Sequence, residues 1–93
     1  MRDITLNTVI SAEKEIVTAD MDGETVMMSI ETGKYYNLGK MGSVIWGMLE
    51  NPISMESLVL KLLEKYDVTR QQCKTEALSF LKDMNQEGLI EIR

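Results

Sequence analysis

Residues 15–38 read EIVTADMDGETVMMSIETGKYYNL, and their spacing predicts a three-stranded antiparallel meander. From Glu15 to Met21 the chain alternates, with Val17, Ala19 and Met21 on one face and Thr18 and Asp20 on the other. Asp22-Gly23 follows as a two-residue hairpin signal, because glycine tolerates a positive φ. Thr25 to Ile30 then sets Val26, Met28 and Ile30 against Thr25, Met27 and Ser29. Glu31-Thr32-Gly33-Lys34 makes a second turn, and Tyr35 to Leu38 a short third strand rich in β-favouring aromatics. Upstream, Ile4 to Ile10 alternates weakly, so residues 1–11 form either an extra strand or a loose arm.

From Gly39 the period changes to that of helices. Met41, Val44, Ile45, Met48 and Leu49 fall on one helical stripe, which Asn51-Pro52 ends. Ser54 is an N-cap for a second helix bearing Met55, Leu58, Val59, Leu62, Leu63 and Tyr66. Asp67-Val68 breaks that helix. Thr69, with a capping box to Gln72, opens a third helix, and Gly88 closes it with Leu89 folding back on Met84. A short tail, Leu89 to Ile92, remains. Three short strands cannot bury their own apolar face. The expected class is therefore α+β, a three-stranded antiparallel sheet packed on three helices.

Composition narrows the function. The 93 residues give room for one domain, spanning 1–93, and the 44% apolar fraction is ordinary for a globular chain. No run approaches the roughly 18 apolar residues of a membrane span. MRDITLNTVI lacks a signal-peptide pattern and the lone Cys73 cannot form an internal disulfide, so a cytoplasmic protein is expected. Fifteen acids against ten bases leave a net charge of −5, which disfavours phosphate backbones and anionic membranes alike. Neither nucleic acid nor membrane is an expected partner.

The catalytic inventory is thin. There is no histidine, which removes His-based triads, most zinc sites and the usual general base. Cys73 reads as a packed small hydrophobe, and Asp20 with Asp22 as turn residues. Gly39 and Gly42 form a lone G-x-x-G without a phosphate-loop context. No enzyme activity, cofactor or metal is expected.

A binding edge is easier to find. The outer strands of a meander keep unpaired N–H and C=O groups, and Tyr35 to Leu38 holds no proline and no charge, with Lys34 at its entrance. An open edge beside an apolar helix is the geometry of β-strand addition. The third helix offers two neighbouring stripes, one through Cys73, Ala77, Phe80 and Met84, the other through Lys74, Leu78, Leu81 and Asn85. One could border a groove, although periodicity by itself favours both as core. The eight methionines fit an adaptable surface, but Met28, Met41 and Met48 read better as core filler, and Tyr35, Tyr36 and Trp46 as packing residues.

The run Asp22-Gly23-Glu24, Val26-Met27-Met28, Glu31 to Leu38, Gly42 to Trp46 and Leu49-Glu50 resembles the PqqD-like proteins. Within them it is most similar to the stand-alone leader-binding proteins of lasso-peptide biosynthesis. Tyr66-Asp67-Val68, Phe80-Leu81 and Glu87 to Ile90 agree, so the likeness covers about residues 12–92. It implies a RiPP recognition element, winged helix-turn-helix-like, that binds the leader of a ribosomally made precursor peptide as an added strand. Carried over, the pairing strand is Tyr35, Tyr36, Asn37 and Leu38. The helix side is Cys73, Ala77, Phe80 and Met84, with Glu76 at the rim, positions set by stripe geometry and not by the family motif. The implied partners are the precursor peptide, a separate leader peptidase and a macrolactam cyclase, and the expected state is a monomer. Two rivals stand beside this reading. One is a winged-helix DNA-binding regulator, against which the third helix carries no net charge; the other is a homo-oligomeric scaffold paired through the open edge.

Overall fold

The computed structural model describes residues 4–14 and 16–93. Glu15, the expected first residue of the meander, lies outside the described residues, as do Met1, Arg2 and Asp3 of the arm. The elements run β1 (Val9–Ala12), β2 (Ile16–Met21), β3 (Glu24–Ser29), β4 (Tyr35–Asn37) and α1 (Gly39–Met48), then β5 (Ile53–Ser54), α2 (Met55–Lys65), α3 (Arg70–Gln86) and β6 (Ile90–Ile92). The α+β class and the β2-β3-β4 meander are as expected.

Local signals act where the sequence places them. Asp22 and Gly23 both have positive φ, 57° and 82°, the mirror-image turn that suits the strand twist. The Ser54 hydroxyl accepts from Ser57 N–H at 3.2 Å and that of Thr69 from Gln72 N–H at 3.1 Å, each satisfying one orphan donor of its helix. Gly88 sits at φ 73°, and Leu89 N–H returns to Met84 C=O at 2.9 Å.

Two segments add to the meander, the arm taking the strand alternative and the tail pairing with it. The arm contributes a true strand, β1, and the supposed tail contributes β6; with β5 they form a second antiparallel sheet in the order β5-β1-β6. Ile10 lies at its centre, opposite Ile53 and Ile92, and is fully buried. Strands of two to four residues are too short for alternation to register, and their partners come from opposite ends of the chain. The arm also completes α2: the carbonyls of Thr8 and Leu6 accept from Met55 N–H at 2.9 Å and Glu56 N–H at 3.1 Å.

The meander packs by its less apolar face. Met27 is buried, Ser29 is buried with Thr32 N–H on its hydroxyl, and Tyr36 of β4 and Leu38 just after it lean on the core. Val17, Ala19, Met21, Val26 and Met28 occupy the opposite face. Met28 is therefore not core filler, whereas Met41 and Met48 do pack against the core. Ser43 of α1 explains the choice: its hydroxyl accepts from Thr25 N–H at 2.6 Å and donates to the carbonyl of Gly39, pinning α1 beneath β3.

Candidate functional site

Strand β4 is an edge. In the order β2-β3-β4 its far side pairs with no strand among the described residues. Leu38 N–H reaches Thr25 C=O at 3.0 Å, Ser29 N–H reaches Lys34 C=O at 3.1 Å, and Tyr36 stands opposite Met27. Antiparallel pairing alternates, so Lys34, Tyr36 and Leu38 turn their backbones to β3. Tyr35 and Asn37 turn their N–H and C=O groups outward. Their side chains differ in use. Tyr35 is 74% exposed, while Asn37 Oδ1 accepts from Gly39 N–H at 3.0 Å and starts α1.

Helix α3 runs antiparallel to β4 and forms the other wall. The Tyr36 hydroxyl donates to Glu87 Oε2 at 3.1 Å, and Lys34 Nζ lies 3.7 Å from the same oxygen. About two helical turns earlier, Phe80 meets Leu38 across Gly42, where a methyl group would stand 2.8 Å from the Phe80 ring and 3.2 Å from Leu38 Cβ. The wall is thus apolar at the Leu38–Phe80 end and polar at the Tyr36–Glu87 end. Partial burial first, then the hydrogen bond and charge of Glu87, push the Tyr36 phenol above its ordinary pKa.

Of the expected helix residues, the structure brings only some to this wall. Cys73 and Ala77 expose no surface and Met84 almost none; they are core, and so is Leu81 from the neighbouring stripe. The buried line runs between the two stripes, because α3 packs on α2 along one side and leans on β6 near its end. Phe80 is half-buried and Glu76 exposed, both on the flank turned to β4. Asp83 and Glu87 share that flank, one and two turns on, and make it acidic. Gly42, Lys34 and Glu87 were not legible as site residues. Lys34 stands inside the T-G-K-Y-Y run, but nothing local to Glu87 announces its pairing with a turn so distant in the chain.

The arrangement suits holding an extended chain, through outward backbone groups over a half-apolar, acidic wall. Burial, and then the Glu76 carboxylate, push the Cys73 thiol above its ordinary pKa of 9.0, so it stays protonated. Among the described residues no cluster of His, Cys, Asp and Glu could hold a metal, and no helix is long and apolar enough to cross a membrane.

The family model of coenzyme PQQ synthesis protein D (PqqD) matches residues 24–90. A solved structure of TbiB1 in complex with the TbiA(β) leader peptide is 30% identical, with a TM-score of 0.80 over 87% of this chain and 94% of that one. A lasso peptide synthetase B1 complexed with its leader peptide superimposes with a TM-score of 0.77 over 88% of this chain and 96% of that one. At 20% identity that second likeness is one of fold. No curated protein sequence matches this chain.

Proposed function

Because the chain belongs to the PqqD family, we propose that it captures the leader region of a ribosomally made precursor peptide as a fourth strand on β4. The observation that carries this reading is the outward backbone of Tyr35 and Asn37 beside the Phe80 flank of α3. Backbone pairing there supplies affinity, and the wall supplies selection. Residues of the leader that face inward meet Leu38 and Phe80. Those near the helix end meet Asp83 and Glu87, and Glu76 stands one turn beyond Phe80, so acids at both ends favour a lysine or arginine in the leader. The chain acts without catalysis of its own. It holds the precursor for a separate leader peptidase and, after it, a macrolactam cyclase of lasso-peptide maturation, as a cytoplasmic module of one domain.

The DNA-binding alternative loses ground for an electrostatic reason. The β2–β3 hairpin that would form the wing carries Asp20, Asp22 and Glu24, and the α3 flank carries three acids more. Both would repel a phosphate backbone.

Fluorescence polarisation with a labelled leader tests the proposal. Saturable binding at roughly 0.05–10 µM is expected, the range of about −10 to −7 kcal/mol. Absence of binding at tens of micromolar would sink it.

A further inference from the structure

Strand β2 is a second open edge, on the opposite side of the meander from β4. Among the described residues no strand pairs with its far side. Thr25 and Ser29 of β3 turn their backbones to β4, so Val26 and Met28 turn theirs to Ala19 and Val17. Ile16, Thr18 and Asp20 therefore point their N–H and C=O groups outward, and their side chains to the face that α1 underlies. The six residues hold no proline, lysine or bulge; the one guard on this edge is Asp20, a charge set on the inner face.

A cleft of about 620 Å³ lies beneath this edge. Thr18 and Thr25 line it from the sheet, Trp46 and Gly47 from α1, and Glu50 from just past the helix. A methyl group at Gly47 would meet nothing within 4 Å, and its φ is not positive, so neither packing nor backbone geometry calls for glycine there. Glycine weakens a helix; here it keeps the cleft open beside the indole. One end suits a cation. Ala12 N–H donates to Leu49 C=O at 2.9 Å, which brings Glu13 beside Glu50, and both line the cleft. The helix adds its negative pole, with no basic residue in its last turn. Among the described lining residues Lys14 is the one base, and Lys40 stands at the other end of α1, about 15 Å away.

We propose that the β2 edge and this cleft form a second strand-addition site, which takes an extended basic segment of a partner protein other than the leader. Residues of the added strand opposite Thr18 and Asp20 share their face, so lysine or arginine at alternate positions reaches Asp20 and the Trp46–Glu50 end. There the head group meets carboxylates and an indole surface, which bind it together. Asp20 turns away an apolar strand and admits one that brings a cation. A second copy fits poorly, because β2 itself holds no lysine or arginine to meet these acids. The site is separate from β4 and does not depend on leader capture.

Trp46 is the sole tryptophan of the chain, so its emission reports on this site. The experiment titrates an octapeptide repeating Val-Arg against the full chain, with a Val-Glu octapeptide as control. The first should shift Trp46 emission saturably and the second should not. Since β4 also borders acids, the titration is repeated in Tyr35→Pro, which closes that edge, and the shift should persist. In that background Gly47→Leu fills the cleft, Glu50→Lys reverses its cation end and Thr18→Pro removes an outward N–H. Each should weaken a labelled Val-Arg peptide about tenfold or more by polarisation. Gly47→Leu should melt no lower than its parent, because a better helix former replaces glycine; if it does melt lower, the other two variants decide. Placed singly in the wild type, all three should leave leader binding within about twofold. Trp46 emission indifferent to the Val-Arg peptide overturns the inference. So do equal affinities for the two peptides, wild-type affinity in Glu50→Lys and Thr18→Pro, or a sedimenting dimer that Thr18→Pro disperses. A leader that fails to bind would instead strike the proposed function and leave this result standing.

Discussion

The hydroxyl of Tyr36 donates a 3.1 Å hydrogen bond to Glu87, tying the middle of the edge strand to the C-cap of α3. Glu87 also receives Lys34, so one carboxylate joins the second turn of the meander to the helix end. Both contacts are solvent-exposed, which sets their use: they hold the wall in place and add little to stability.

That relationship is measurable by titration. The Tyr36 phenol should ionise above its ordinary value of 10.0, and Glu87→Gln should return it toward that value. Ultraviolet difference titration of wild type against Tyr36→Phe isolates it. A double-mutant cycle on Tyr36 and Glu87 should give only a small coupling, because solvent screens both groups.

Register predicts which proline the edge tolerates. Tyr35 turns its N–H outward, so Tyr35→Pro should leave the fold intact and weaken leader binding by about tenfold or more beyond a Tyr35→Ala control. Tyr36 turns its N–H to β3, so Tyr36→Pro should destabilise the domain by about 1–3 kcal/mol. Urea melts and polarisation together decide it; equal effects of the two prolines would refute the assigned register.

Gly42 has no room for a side chain. A methyl group would meet Phe80 at 2.8 Å and Leu38 at 3.2 Å. Gly42→Ala should therefore cost about 1–3 kcal/mol through overpacking, and Phe80→Leu should recover part of it. Leader affinity should fall as well, since Phe80 and Leu38 form the apolar end of the wall.

Ser43→Ala removes the acceptor of Thr25 N–H, held at 2.6 Å. That donor has no strand partner to return to, so the expected loss is about 1–3 kcal/mol by chemical denaturation. Ser43→Thr, which keeps the hydroxyl, should lose less.

Cys73 makes stability fall in alkali. The folded thiol ionises above 9.0, chiefly because it is buried, while the unfolded thiol ionises near that value. The unfolded state thus binds fewer protons above pH 9.0, and the contribution, whole below that point, is lost as pH rises toward the folded pKa. Denaturant midpoints across this range should drop for wild type and drop less for Cys73→Ala.

Much of the fold was legible because its signals are short. Asp22-Gly23, Ser54, Thr69 and Gly88 each act on backbone within a few residues, and each does in the structure what its chemistry requires. The edge strand was legible for the same reason, since its outward backbone follows from being last in a meander. The lining of the groove was not. Cys73, Ala77 and Met84 lie on a stripe that includes Phe80, yet a rotation of α3 by part of a turn decides which of them reach the surface. That rotation is set by α2 and β6.

The amino-acid sequence by itself determined the turns, the N-caps of α2 and α3, and the acidic net charge. These depend on φ preferences, orphan N–H groups and charge, all local or additive. Only the tertiary structure decided that β1 and β6 pair across the length of the chain, and that Met27 goes inward while Val17 and Met28 stay outside. Alternation along a strand defines two faces but cannot rank them. The ranking came from Ser43 and the β4–α1 junction, which place a helix under one face and leave the more apolar one open.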